Sequence, residues 1–294
     1  MGGLAPLAVD ASGAAPAAPA APATIDPESI PQIDADTSHV EQIRRRGFLW
    51  VRCFPQQISP FLAVDISQGA MPGIAGPERF RGVDVDVLEK VAAHLGVELR
   101  FHPGSEPTIS SSFSAVEDGY GDLVAGGLTI TESRLKRFDF SAPYFRFYDL
   151  LLGSRALTDA DAPALTEGSL AVMPGSSYDE KTRALGLENR VTHFEFIGEA
   201  YESVAAGDHD FSFADSTMMN EEQLFGVKVL YRLGDKQGYG YVLPKGSDLK
   251  ATIDQVLTGL RESGELQEIL DRYGSEGQTD METLPQIPWA RLTR

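Results

Sequence analysis

The chain has 294 residues, 42% of them hydrophobic, enough for one large or two small cores. Its 43 acidic and 25 basic side chains give a formal charge of -18, which argues against nucleic acid and anionic membrane surfaces as partners. No apolar run approaches the roughly 18 residues needed to span a bilayer, and Cys53, the single cysteine, excludes an intramolecular disulfide.

Residues 14–23 read A-A-P-A-A-P-A-A-P-A, where repeated proline prevents a regular helix and nothing can build a core. Residues 1–36 are therefore read as a disordered leader, either a tether or a passive spacer. Met1 to Ser12 shows neither a basic n-region nor a sustained apolar stretch, so no secretory signal is visible. Order is expected from Ser38, which with Glu41 fits a capping box. Arg44 to Arg46 suit the end of that helix, and Gly47 suits its C′ position. Phe48 to Phe54 reads as a buried strand, and Ser67 to Pro77 as a surface loop. Asp86 and Glu89 fit a second capping box, ahead of an amphipathic helix over Val87–Leu95. Gly96 ends it, Val97 to Phe101 is a strand, and Phe113 to Asp118 a short helix. Strand, helix, strand, helix, strand is the order of a parallel α/β layer.

The most informative stretch is Gly121 to Tyr144, G-D-L-V-A-G-G-L-T-I-T-E-S-R-L-K-R-F-D-F-S-A-P-Y. A short apolar strand leads to Gly126 and Gly127, where backbone approaches a ligand closely. Thr129 and Thr131 follow, Thr131 as a plausible N-cap, with Arg134 three residues on. Free amides, two hydroxyls and a guanidinium at a strand-to-helix handover suit a small carboxylate; an isolated Thr-x-x-Arg is more often a solvated helix arginine.

G-L-T-I-T-E-S-R…F-D-F-S-A-P-Y resembles the signature of the polar amino-acid-binding proteins, the extracellular solute-binding family that serves amino-acid ABC importers. Arg81 to Asp86, R-G-V-D-V-D, resembles the family's G-F-D-V-D segment, and the resemblance runs with gaps from about Gly47 to Gly274. It implies a two-lobed α/β fold of the type II periplasmic-binding-protein class, with a cleft between lobes. It also implies that Arg134 grips a ligand α-carboxylate, with Thr129 and Gly127 beside it. Lobe 1 is expected over 37–147 and 237–274, lobe 2 over 148–236, and 275–294 is an added tail in which Leu284 and Trp289 have surface to bury. Hinges are expected near 147–150 and 235–239.

In the second lobe, Leu170 to Met173 reads as a strand followed by P-G-S-S-Y-D-E, where Ser177 and Glu180 fit a capping box. A lone S-x-x-E is usually only a helix cap, yet here the helix starts at a strand's C-terminal edge, where ligands of open α/β sheets bind. By resemblance to the family's G-S/T-S/T turn, Ser177, with Ser176 beside it, meets the ligand carboxylate. Gly207 to Asp215, G-D-H-D-F-S-F-A-D, resembles the family's G-x-x-D-a-x-x-x-D, whose last aspartate, here Asp215, holds the ligand ammonium. A strand-end Asp taken alone is more often a cap or turn residue. His209 lies between two acids without a metal-ligand pattern around it. Gly238 to Pro244 reads as a strand returning to lobe 1, and Leu249 to Tyr273 as a helical region broken at Ser263-Gly264.

The family's aromatic clamp falls on Ile58 and Ile109, with Phe54 or Phe61 as substitutes if the loop is shifted, which disfavours arginine, lysine or histidine as ligand. Arg52, near the end of the first strand, either meets an acidic or amide ligand side chain or pairs with a structural acid. The expected protein is a monomeric, extracytoplasmic or periplasmic binding protein that captures a free amino acid and delivers it to ABC-importer membrane subunits. No cofactor, metal or enzymatic activity is expected, since no nucleophile–base pair, metal cluster or phosphate loop is evident. The alternatives are a tethered amino-acid sensor and a dehydratase-like enzyme on the same fold.

Overall fold

Six consecutive buried residues, Phe48–Cys53, form the central strand β1 of the first lobe. The computed structural model describes residues 25–34, 36–53, 59–64, 73–104, 108–156, 165–218, 226–274 and 283–293. Ahead of β1 lies α1 (His39–Arg46), capped by Ser38 and ended by Gly47 at φ 88°. After β1 come β2 (Ala63–Val64), β3 (Phe80–Arg81), α2 (Val83–Leu95), β4 (Glu98–His102), α3 (Ile109–Glu117), β5 (Leu123–Ala125), α4 (Glu132–Arg137) and β6 (Asp139–Phe140). The chain crosses on β7 (Phe145–Ser154) into β8 (Leu170–Val172), α5 (Ser177–Ala184), β9 (Val191–His193), α6 (Ile197–Ala206) and β10 (Phe211–Asp215). It returns on β11 (Val227–Tyr239) to β12 (Val242–Leu243), α7 (Leu249–Ser263) and α8 (Glu265–Arg272), and then β13 (Gln286–Ile287) goes back to the second lobe.

Lobe 1 is built on the sheet β4-β1-β5-β12-β6, with β4, β1 and β5 parallel and β12 antiparallel to both its neighbours. Its core joins α2 and α7 to that sheet through Val87, Val91, Ile253 and Leu257, all fully buried, and α8 adds Leu266 and Ile269. Lobe 2 is the sheet β13-β11-β7-β10-β8-β9, with Leu150 and Leu152 facing one core and Leu151 the other, the period-2 alternation of a sheet covered on both faces.

The crossing strands pair antiparallel, Phe145 with Tyr239 and Phe147 with Gln237, and the register breaks between Leu233 and Gln237. That irregularity lies within the ribbon joining the lobes, and a bulge concentrates bending where ladder bonds are missing.

Several expectations are corrected. Helix α2 begins at Val83 rather than Val87, with Gly82 as its N-cap. Asp84 and Asp86 do not cap it: Asp84 turns into lobe 1, and Asp86 pairs with Arg272 and accepts from Tyr273 at 3.1 Å. Gly82 holds φ 131°, and a Cβ there would lie 2.3 Å from the Phe61 carbonyl, so glycine is required. The leader does not extend unstructured to residue 36. Ile25 bridges Ile74, and Ile30 packs with Phe48, Trp50 and Ile74, covering apolar residues on one face of β1. The described part of the tail, 283–293, docks on lobe 2: Arg232 and Leu233 pair with Gln286 and Ile287, and Leu292 is fully buried.

Candidate functional site

Helix α4 spans six residues. Thr131 caps it, accepting from the Arg134 amide at 3.1 Å, and this sets Arg134 facing lobe 2 with 4% of its side chain exposed. Each guanidinium nitrogen makes one hydrogen bond. Nε donates to Glu180 at 2.7 Å, Nη1 to the Thr129 carbonyl at 2.9 Å and Nη2 to the Gly175 carbonyl at 3.2 Å, over the Phe113 ring. Burial lowers the Arg134 pKa, and Glu180 opposes that shift. Thr129, 3% exposed, donates across the cleft to the Ser177 hydroxyl at 3.3 Å.

The amides of Gly126 and Gly127 are not free, as the sequence reading had them. Both donate to Asp84 Oδ2, at 2.7 and 3.3 Å. Asp84 is buried without a cationic partner among the described residues, and burial raises its pKa to about 6. It fixes the Gly-Gly turn that leads into Thr129.

On lobe 2, Ser176 rather than Ser177 is the N-cap of α5, accepting from the Asp179 amide at 3.2 Å. Asp179 holds the place a capping-box glutamate would take and accepts from the Gly175 amide at 3.0 Å. Glu180 is thereby released to cross the cleft to Arg134 and Thr131. Asp215 ends β10 and accepts from the hydroxyls of Tyr178 and Tyr239. Burial raises its pKa to about 6, although both tyrosine hydrogen bonds favour the charged form.

A cavity of ≈ 100 Å³ lies between these groups. It is lined by Gly127, Thr129, Arg134 and Ile109 from lobe 1, and by Ser176, Ser177 and Asp215 from lobe 2. Arg52 does not reach it. That side chain lies against Gly104 and Gly121 and is bonded to His102, so the expected contact with a ligand side chain is corrected. Being on the strand beside Cys53, whose side chain enters the core, Arg52 faces the opposite side of the sheet. Ile58 and Phe54 lie outside the described residues. Phe61, one of the two named substitutes, lines the cavity, and further aromatic walls come from elsewhere: Tyr178, Tyr201, Phe213 and Tyr239. Sequence reasoning missed these tyrosines, and also Asp84 and Glu180. The available signals were Tyr178 following the hydroxyl pair directly and Phe213 alternating with Asp215. Among the described residues no His, Cys, Asp and Glu group is arranged to hold a metal ion, and no helix is long and apolar enough to cross a membrane.

Two named relatives are membrane-bound lytic murein transglycosylase F of Idiomarina loihiensis, 29% identical over 67% of this chain and 45% of that protein, and its namesake in Photobacterium profundum, 26% identical over 84% and 48%. The chain spans about half the length of these relatives. Their names are those of an enzyme, so the expectation of no enzymatic activity does not stand. Among solved structures, an amino acid ABC transporter substrate-binding protein from Streptococcus pneumoniae bound to L-arginine superposes with TM-score 0.63 at 25% identity, covering 81% of this chain and 98% of that one. The architecture is thus the two-lobed type II periplasmic-binding fold. Residues 67–276 match the model of bacterial extracellular solute-binding proteins, family 3, and the chain belongs to that family.

Proposed function

We propose that the interlobe cleft captures a free amino acid, or a close zwitterionic analogue, outside the cytoplasm. The observation that carries this reading is a pair of opposite charges on opposite lobes. Arg134 and Asp215 line one cavity and lie near enough for their charges to interact. Arg134 is paired with Glu180 but keeps one N–H on each Nη for a solute carboxylate, beside the hydroxyls of Thr129 and Ser177, and Asp215, held by two tyrosine hydroxyls, gains a charged partner in the solute's ammonium. In this reading the protein is a monomer in the periplasm, and the family's usual recipient, the membrane subunits of an ABC importer, takes the solute. The test is a thermal-shift screen of the protein-forming amino acids, followed by calorimetry on any that raise the melting temperature. A selective rise with one-to-one binding is expected; no rise for any of them sinks the reading.

A second reading, cleavage of murein, is favoured by the names of the relatives. Incubating the chain with purified murein and separating the soluble products tests it. Release above a boiled-protein control supports it, and none removes it for this chain.

A further inference from the structure

Arg134 already holds a carboxylate. Its Nε donates to Glu180 Oε1 at 2.7 Å, and the Thr131 hydroxyl donates to Glu180 Oε2 at 2.8 Å, so lobe 1 engages both oxygens of a lobe 2 side chain. Glu180 lies one turn beyond the N-cap Ser176, and the first turn of α5 carries its carboxylate over α4. The two Nη atoms each give one N–H to a carbonyl, Thr129 and Gly175. A guanidinium has five N–H groups, so one remains on each Nη. An incoming carboxylate therefore meets a cation whose charge is already balanced and whose Nε edge is taken.

We propose that Glu180 is a positioning and specificity-determining residue: a tethered carboxylate that occupies the Nε side of Arg134, holds the lobes together without solute, and reduces what a solute gains from a free carboxylate. The first two parts concern the empty protein; only the third rests on the solute-binding reading. The pairing is interlobe and spared from water, Arg134 being 4% and Glu180 21% exposed, so it is not the weak pair of an open surface. It also alters the charge the cleft offers. With Arg134 balanced by Glu180, Asp215 is the uncompensated group, and an ammonium gains more than a carboxylate does. Amidating a solute's carboxyl then costs less affinity here than at an unpaired arginine.

The test uses the full chain, unfolded and refolded to strip any carried solute. Small-angle scattering gives the radius of gyration, and circular dichroism confirms the fold. Glu180→Ala is expected to be more expanded than the wild type, and millimolar acetate, a free carboxylate, is expected to restore compactness. Arg134→Ala/Glu180→Ala is expected to be expanded and insensitive to acetate. Glu180→Gln keeps the volume and one acceptor, supplying a folded variant that expands partly and ignores acetate, because its amide fills the site. A Glu180→Ala protein as compact as wild type overturns the proposal. So does an expanded one that acetate leaves unchanged, or a Glu180→Gln protein that responds to acetate as fully as Glu180→Ala. These arms contain no amino acid, so failure of the solute screen leaves them intact.

Discussion

Arg134 and Asp215 make opposite demands on the cleft, and each predicts a separate loss. Truncating one member of a buried, hydrogen-bonded charge pair costs about 2–5 kcal/mol. Glu180 already balances Arg134, so Arg134→Ala is expected at the lower end, roughly a 30-fold loss of affinity by calorimetry. Arg134→Lys recovers part of it, since an ammonium cannot reproduce the guanidinium fork. An unchanged affinity in a folded Arg134→Ala protein removes the arginine from recognition. Asp215 adds a pH signature. Its carboxylate, raised by burial to about 6, must be charged to hold an ammonium. Affinity for an amino-acid solute should therefore weaken as pH falls through about 6 and recover above it. Asp215→Asn should bind weakly at every pH, and its loss should be much smaller for the des-amino analogue. Equal losses for both solutes point to a structural role.

At the scale of elements, the strands and helices that bury one regular face were legible, and those set by distant contacts were not. The cap at Thr131, the αL glycine Gly47 and the break at Gly264 follow from local chemistry, and each stands where the sequence puts it. The start of α2 was misplaced because Asp84 satisfies Gly126 and Gly127, more than forty positions away, and no local pattern reports that. The same holds for Glu180, read as a cap residue although its partners are on the other lobe. Arg52, read from its place at a strand end as meeting either a ligand side chain or a structural acid, is sent by strand parity to the other face, where it bonds His102. The tail was seen only as apolar residues in search of a surface. Trp289 in fact stacks near Tyr178 and Phe213, lies against the Lys181 ammonium and donates to Asp149 at 3.3 Å. Since Tyr178 also donates to Asp215, the tail supports one wall of the cleft. Trp289→Ala is expected to cost about 3 kcal/mol, the low end for aromatic truncation because the ring is only half-buried. Denaturant unfolding measures it, and a loss below about 0.5 kcal/mol, the range of surface substitutions, shows that the stack contributes nothing.

Across the whole molecule the carboxylates that the fold perturbs fall into two sets with opposite responses to acid. Asp84 and Asp215 are raised by burial to about 6, against an ordinary value of 3.8, and burial raises Asp149 as well, against the pull of Lys181. For such groups the folded state binds the proton more tightly, so stability rises as pH falls from above 6 towards 3.8 and is level below that. Asp122, Asp139, Asp179 and Asp248 are lowered: burial opposes the shift, but hydrogen bonds and nearby positive charges outweigh it. Their contribution is present above the unfolded value of 3.8 and is lost as pH falls through their lower folded values. The formal charge of -18 adds self-repulsion that acid relieves, in the same direction as the first set. The sum is a melting temperature that climbs as pH falls from about 7 to about 5 and drops steeply below about 4. In Asp84→Asn/Asp215→Asn the limb above pH 5 should become shallower, because the two groups with folded values of about 6 no longer titrate, while Asp149, the net charge and the acid limb remain. Calorimetric scans of both proteins from acid to neutral pH test this. A wild-type melting temperature that rises steadily towards neutral pH means that Asp84 and Asp215 are charged without cost, and that the cleft is wetter than its burial implies.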